Sequence, residues 1–485
     1  MNPLTVKRYL PWVVAVALFM EQLDSTIVNT AIPSMATSFG IPPLSLKAVA
    51  ASYFLSLAVC IPVSGWMADY FGTRRVFAWA VGLFTFSSIL CGLSINVSML
   101  VASRVLQGMA AAMMMPVGRL SIVRTFPKSE LLPAMNFVII PALIGPLLGP
   151  SVGGLIVHWF SWRDIFFVNV PVGLAAQWMI YRYMPDYKSD FQRPLDVTGW
   201  ALFGTASALL SWLLGIFGEH QLPPLLVGIL FVIVVALYVS YGIRAGRVTH
   251  PLMDLALFKV RTFRISVIGG SVTRIGLGGM PFLLPLLYQL SLGLPAWKSG
   301  LLMMPLAVGA IGMKLLASSI LARYGYRSVL IVNTLMIGLT VFLFSLINVS
   351  TPVLFILLLS FAQGSFNSLQ FSSMNSMAYA DIDARSSSMA STMASSMQQL
   401  SMSFGLAIAS LLTAFYFEDF LQTQPGAMDT ALRYTFMSLG VFTMLSSVSF
   451  WWLRSGDGSA VSLNNVNSVN NVKAGLAESN DQPGL

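Results

Sequence analysis

Two carboxylates stand inside the first long apolar run of the chain, where a membrane helix ordinarily excludes charge. The run WVVAVALFMEQLDSTIVNTAI, between Pro11 and Pro33, can cross a bilayer, since about 20 residues rising about 1.5 Å each span the hydrocarbon core. Glu21 and Asp24 lie three residues apart, and therefore on one helical face, about 15 to 20 Å from the start of the run. Burial disfavours the charged form of an acid, so an acid kept there can load and release a proton. We interpret the pair as a proton site; the alternative is a polar contact that only orients the first helix.

Two arginines occupy other apolar runs. Arg104, in VASRVLQGMAAAMMM, is predicted about 9 Å from the outer face, close to the depth that Asp24 reaches from the inner face. Protonation of Asp24 would break such an ion pair and so switch helix contacts, whereas a fixed pair would only aid packing. Arg274, in SVTRIGLGGMPF, is the deepest charge of the second half. It could attract a substrate anion, tune the proton site or form a structural hydrogen bond.

Composition defines the elements that must hold these residues. The chain has 485 residues, of which 56% are hydrophobic and 9% charged, and its mean hydropathy is +0.77. A soluble domain is about a quarter charged, so we expect an all-α polytopic membrane protein. The net charge of +9 comes from cations scattered between apolar runs, without the basic stripe that nucleic acid requires. Cys60 and Cys91 fall inside predicted spans, so no disulfide framework is expected.

Fourteen apolar runs are predicted to be membrane helices. They lie at about 10–33, 46–68, 76–95, 98–123, 131–157, 165–184, 197–217, 223–243, 263–290, 299–320, 327–347, 351–376, 388–416 and 432–453. With the N terminus in the cytoplasm, nineteen of the 27 Lys and Arg residues fall in cytoplasmic loops or termini and four in outer loops. This positive-inside bias predicts that both termini are cytoplasmic.

A similarity between two loops of the chain predicts two parallel six-helix repeats. In the loop from Gly65 to Arg75, Gly72 and Arg74 match Gly325 and Arg327 of a later loop, provided that the seventh and eighth runs are an insertion. The alternative is two unrelated basic turns. The predicted segments are an N-terminal bundle (1–185), two inserted helices with linkers (186–262), a C-terminal bundle (263–454) and a disordered cytoplasmic tail (455–485).

Two glycine-containing stretches suggest close packing and gating. The first comprises Gly145, Gly149, Pro150, Gly153 and Gly154. Its small residues let helices approach closely, and adjacent Gly and Pro permit a bend.

The second stretch is the Gly65–Arg75 loop, where glycine is expected to permit tight approach of the chain. Asp69 is expected to cap or pair with a helix end and, with Arg74 and Arg75, to gate the inner face.

Metal and nucleotide chemistry are not indicated. The three histidines fall in separate loops, and there is no G-x-x-x-x-G-K-[ST] motif. We therefore expect no cofactor, with the proton gradient as the energy source.

Four stretches together resemble a known family. They are Leu23–Pro33, Arg104–Gly108, Gly149–Gly154 and Trp162–Pro171. They resemble motifs of the fourteen-span drug:proton antiporters of the major facilitator superfamily (the EmrB/QacA group). In order, the motifs are those of helix 1, helix 4 and helix 5 and the stretch before helix 6. Within this group, the chain resembles the MdtD-type inner-membrane proteins most closely. The resemblance implies two six-helix bundles plus two inserted helices. Asn29 and Gln107, which lie in these motifs, are expected in the substrate cavity together with Arg274.

The expected activity is proton-coupled efflux rather than enzyme catalysis. The resemblance implies a solute:proton antiporter that exports drug-like or metabolite molecules across a bacterial-type inner membrane by alternating access. The alternatives are a dedicated exporter of one metabolite, such as a siderophore or an organic acid, and a non-transporting membrane sensor. The second half carries no deep acid, so neutral, zwitterionic and anionic substrates stay open. Small molecules, protons and lipid are the expected partners; a periplasmic adaptor with an outer-membrane channel is not inferable.

Overall fold

Long helices make up the molecule. The computed structural model describes residues 3–188, 194–216, 223–383, 386–418, 427–454 and 456–458. The α-helices in this part of the chain are α1 (Pro3–Phe39), α2 (Lys47–Phe71), α3 (Thr73–Gly92), α4 (Val97–Thr125), α5 (Lys128–Trp159), α6 (Asp164–Phe167), α7 (Asn169–Tyr183), α8 (Val197–Ile216), α9 (Pro224–Ala245), α10 (Arg261–Leu277), α11 (Met280–Leu286), α12 (Ala296–Tyr324), α13 (Tyr326–Phe344), α14 (Val353–Ala378), α15 (Ser387–Glu418) and α16 (Ala427–Ser446).

Twelve stretches of the described residues are long and apolar enough to cross a membrane. They include α6 with α7, and α10 with α11 and the following turn. The two other long helices are α5, of 32 residues, and α16, of 20 residues, which carries Asp429 and Arg433 near its start. An all-helical membrane fold is confirmed, and the count of fourteen spans stays a prediction.

The predicted ninth run, 263–290, is a broken helix rather than a continuous one. α10 ends before Gly278 and α11 begins after Gly279, and a π turn, Leu287–Ser291, follows. A Cβ on Gly279 would lie 2.1 Å from the Cβ of Ala409. The break therefore lets this segment pack directly against α15.

The two halves repeat with an offset of 253 residues. Gly72 and Gly325 separate α2 from α3 and α12 from α13, with φ values of 98° and 73°. Such positive φ angles favour glycine at both loops. α4 and α14 also end at residues 253 apart, Thr125 and Ala378. The similarity between the two loops therefore corresponds to equivalent helices in α1–α7 and α10–α16, whereas the exact domain boundaries stay predictions.

The halves meet closely at the end of the bundle opposite the N terminus. One apolar core there joins residues from both halves, among them Ile32, Trp162, Tyr288 and Phe436. Gln289 Nε2 also donates to a backbone carbonyl of α1 at 3.0 Å. Contacts between the repeats thus hold this end of the bundle together.

Of the two inserted helices, α8 packs beside α2 and α15, and α9 packs against α8. Trp200 Nε1 donates to the Val59 carbonyl of α2 at 3.0 Å. Asp196, before α8, pairs with Arg244 of α9 at 2.8 Å and so ties the two helices together. Most of the predicted tail, 455–485, lies outside the described residues; within 456–458, Asp457 pairs with Arg261 at the start of α10.

Candidate functional site

A fully buried polar network surrounds Asp24. Arg104 Nη1 lies 2.5 Å from Asp24 Oδ2. The other carboxylate oxygen, Oδ1, accepts from Gln107 Nε2 at 2.9 Å and from Asn169 Nδ2 at 2.7 Å. Asp24 and Arg104 are 0% and 1% exposed. The structure thus brings together the two charges that the sequence placed at similar depths, on α1 and α4.

Arg104 is held from several sides. Its guanidinium carbon lies 4.3 Å from the centre of the Tyr53 ring, and its Nε donates to the Val49 carbonyl at 3.4 Å. Its Nη1 also donates to Gln107 Oε1 at 2.7 Å. A guanidinium cannot lose its proton in a protein, so this buried charge depends on Asp24 for compensation.

Gln107 is placed differently from the expectation. It was predicted in the substrate cavity, but its side chain is 0% exposed and bridges Asp24 to Ser88, whose Oγ accepts at 2.7 Å. One helical turn separates it from Arg104, so both side chains point at the same carboxylate. Sequence reasoning did not assign Asn169 or Ser88 to this site. Their polar character within apolar runs was the available signal.

A cavity of about 390 Å³ lies between the two halves. Residues from α1, α2 and α5 line one wall, and residues from α10, α11, α12, α14 and α15 line the other. Of the described lining residues, Glu21 is the one acid and Arg274 the one base. Asn29 also lines the cavity.

Glu21 differs from Asp24 in its surroundings. It reaches the cavity but is only 5% exposed, and its Oε2 has no hydrogen-bond partner among the described residues. The charged groups that act on it electrostatically are Arg119 of α4 and Asp24. The acid pair therefore divides into one satisfied carboxylate inside the wall and one unsatisfied carboxylate at its surface.

Arg274 stands on the opposite wall. Its guanidinium carbon lies 5.7 Å from the centre of the Phe371 ring. Gly270, one turn earlier, makes room for it, because a Cβ there would lie 2.8 Å from Arg274 Nη1. Among the described residues, no carboxylate forms an ion pair with this guanidinium.

The glycines of α5 form two contacts. Added Cβ atoms on Gly145, Gly149 and Gly153 would all lie within 3 Å of atoms of α1, the nearest being Thr26 Oγ1, 2.0 Å from Gly149. A Cβ on Gly154 would lie 2.4 Å from a carbonyl oxygen at the start of α12. This face therefore fixes α1, and with it both acids, against α5.

The neighbouring Pro150 contacts the other half. Its carbonyl oxygen lies 2.3 Å from a Cβ built on Gly300 of α12, and Ser151 Oγ donates to the Gly300 carbonyl at 3.2 Å. The stretch predicted to bend thus lies at the contact between the two halves.

The predicted gating loop is anchored within its own half. Asp69 pairs with Arg124 at the end of α4 at 2.8 Å. Asp186 Oδ1 accepts from the backbone N–H of Arg74 at 3.0 Å, and its Oδ2 lies 4.0 Å from Arg75 Nε. Gly72 is essential to this contact, since a Cβ there would lie 2.4 Å from Asp186 Oδ1.

Tight approach does not explain Gly65. A Cβ there meets no atom within 4 Å, because the residue lies inside α2 on an open side. The expectation of a tight approach therefore holds for Gly72 and is wrong for Gly65.

Comparison with known proteins assigns the family. The model of the Major Facilitator Superfamily matches residues 14–406. The chain belongs to the major facilitator superfamily. It is 38% identical over 445 residues to the putative multidrug resistance protein MdtD of Pectobacterium atrosepticum, covering 91% of this chain and 95% of that protein. It is 39% identical over 447 residues to the protein of the same name from Escherichia coli, covering 91% and 94%.

Solved transporter structures share the fold. A bacterial homolog of the human lysosomal transporter Spinster, in an inward-facing conformation, matches with a TM-score of 0.67 at 12% identity, over 92% of this chain and 96% of that one. The D-xylose–proton symporter matches with a TM-score of 0.65 at 15% identity, over 92% and 98%. This major facilitator protein is thus an MdtD-like membrane transporter, not an enzyme.

Proposed function

We propose that this transporter is a solute:proton antiporter that exports small molecules from the cytoplasm by alternating access. The observation that carries the proposal is the unsatisfied carboxylate of Glu21 at the wall of the central cavity. A buried acid without a partner at an aqueous surface can exchange a proton there, as functional intramembrane acids do.

The two acids have separate tasks in this mechanism. Glu21 takes up the proton from the cavity. Asp24 contacts Arg104, Gln107 and Asn169, so it holds α1 to α4 and α7. Glu21 lies one turn from Asp24, so a change of charge at Glu21 acts on this network over a short distance. Proton uptake thereby biases the helix packing between two states. This assignment moves the primary proton site from Asp24 to Glu21.

The cavity wall supports broad substrate acceptance. Met280, Met303, Met374 and Met402 line it together with aromatic side chains. Methionine is flexible and adapts to ligands of different shape. The names of the MdtD relatives agree with multidrug export rather than with transport of one metabolite.

The proposed topology has fourteen spans, with α5 and α16 added to the twelve apolar stretches. Both termini then lie in the cytoplasm of a bacterial cell, on the inner side of the inner membrane, as the distribution of Lys and Arg favours. The end of the bundle at which Ile32 and Phe436 share one apolar core then becomes the periplasmic end.

Proton coupling is tested with purified protein in proteoliposomes. Accumulation of the fluorescent compound norfloxacin in an acidic lumen is measured with and without nigericin, which collapses the pH gradient. We expect gradient-driven accumulation by the wild type and none by Glu21→Gln. Norfloxacin should also release protons on binding to the wild-type protein in weakly buffered detergent, and this release should be absent in Glu21→Gln.

The matched control is Glu130→Gln, which neutralises an exposed acid on α5. It should transport like the wild type, and all variants should elute as monodisperse protein from size-exclusion columns. If nigericin does not reduce the accumulation of norfloxacin by the wild type, antiport is excluded. Undiminished coupling in Glu21→Gln would exclude Glu21 as the proton site.

A further inference from the structure

Equivalent positions of the two repeats carry opposite charges. Glu21 and Arg274 are 253 residues apart, the same offset that relates Gly72 to Gly325. Parallel repeats are related by an axis along the membrane normal, so equivalent residues lie at the same depth in the two halves. An acid and a base therefore stand level with each other on opposite walls of one cavity.

Neither charged group forms an ion pair with another described residue. Glu21 Oε2 accepts no hydrogen bond, and no carboxylate pairs with Arg274. Two charges that satisfied each other would form an ion pair across the cavity, as Asp24 and Arg104 do inside the wall. Uncompensated charges at low dielectric are costly, and they gain most from a ligand of complementary charge.

We propose that the cavity binds zwitterionic amphiphiles. The ammonium group of the substrate binds Glu21, and its carboxylate binds Arg274, whose planar guanidinium matches a carboxylate with two hydrogen bonds. The apolar body lies between them, against Phe54, Phe371 and the methionines of the wall. This inference rests on the proposed function, since Glu21 is also its proton site.

Charge balance distinguishes this substrate class from singly charged ones. A cation alone would leave Arg274 uncompensated and would be repelled by it. An anion alone would bind best when Glu21 is protonated, which couples substrate and proton in the same direction rather than in exchange. An ammonium group competes with the proton for Glu21, so its binding expels the proton, as antiport requires.

The groups around Glu21 are compatible with this competition. Arg119 on α4 and Asp24 on α1 act on it electrostatically, and Tyr53 on α2 also interacts with it. Asp24 is already neutralised by Arg104. Among the charged groups of the described residues that act on Glu21, Arg119 is therefore the one that competes with a bound ammonium group for its carboxylate.

The test uses three compounds that share one ring system. Norfloxacin carries an ammonium and a carboxylate, N-acetyl norfloxacin keeps only the carboxylate, and norfloxacin methyl ester keeps only the ammonium. Equilibrium binding to the purified protein is measured by ligand fluorescence in detergent, without a gradient. Norfloxacin should bind at least about tenfold more tightly than either analogue, the usual size of one lost charge-assisted hydrogen bond.

Variants assign each ligand charge to one residue. Arg274→Gln should weaken norfloxacin and the N-acetyl compound by about tenfold or more and should not weaken the methyl ester, whose ammonium group Arg274 repels. Glu21→Gln should weaken norfloxacin and the methyl ester and should not weaken the N-acetyl compound, whose carboxylate is no longer repelled by Glu21. Arg274→Lys, which keeps the charge, should fall between the wild type and Arg274→Gln. Arg264→Gln, an exposed position on the same helix, is the control and should change nothing.

Any of three results overturns the inference: the three compounds bind equally, norfloxacin does not bind, or Arg274→Gln changes the binding of all three by the same factor. A structural role for Arg274 would weaken all three compounds alike. If these charge preferences fail while the pH gradient still drives accumulation, only the substrate class is wrong. If they hold while nigericin has no effect, antiport is wrong and the binding site stands.

Discussion

The buried Asp24–Arg104 ion pair predicts that the two single substitutions lower the free energy of unfolding by different amounts. Asp24→Asn leaves a guanidinium that is 1% exposed without a negative partner. Removal of one member of a buried ion pair costs roughly 3 to 5 kcal/mol, because the remaining charge is uncompensated. Arg104→Met should cost less, since the remaining carboxylate keeps the amide donors of Gln107 and Asn169 and can also be neutralised by a proton.

The double variant Asp24→Asn/Arg104→Met removes both charges. It should be more stable than Asp24→Asn alone by about 2 kcal/mol or more, since no buried charge is left unpaired. Free energies of unfolding are measured by SDS titration in dodecylmaltoside micelles, followed by fluorescence of the 11 tryptophans. A loss below about 1 kcal/mol for Asp24→Asn, or a double variant whose loss equals the sum of the single losses, would refute a mutually dependent pair. A loss of transport in Asp24→Asn is therefore interpreted only beside its stability.

Two glycine pairs provide matched tests of packing and backbone geometry. Gly149→Ala places a Cβ 2.0 Å from Thr26 Oγ1, so it should lower the free energy of unfolding by about 1 to 3 kcal/mol and reduce transport. In Gly65→Ala the added Cβ meets no atom, so this variant should be as stable as the wild type or slightly more stable. Equal effects of the two substitutions in the same SDS titration would contradict the contact of Gly149 with α1. Gly72→Ala and Gly325→Ala both force a positive φ on alanine and should each lose about 1 kcal/mol or more. The larger loss is expected at Gly72, where the Cβ also meets Asp186, and a loss at Gly325 that equals or exceeds it would contradict the contact with Asp186.

The sequence by itself determined the class of the protein and the candidates for its chemistry. Mean hydropathy and run lengths were sufficient for a helical membrane protein, because lipid leaves the backbone few alternatives to helix. Asp24 and Arg104 were predicted as partners because a charge in an apolar run needs compensation and few residues can provide it. The repeat was visible because the two loops share glycines that positive φ angles require.

Only the tertiary structure decided which acid faces the cavity and which is buried in the wall. Glu21 and Asp24 share a helical face in sequence, but the approach of α4 and α7 encloses one and leaves the other at the cavity. The same packing places Gln107 in the hydrogen-bond network of Asp24 rather than in the cavity. It also brings Asn169 to Asp24, although the two are 145 positions apart in the sequence. Local sequence specifies which residues can titrate or pair. The environment that separates their roles is built from distant segments, whose relative placement no local pattern encodes.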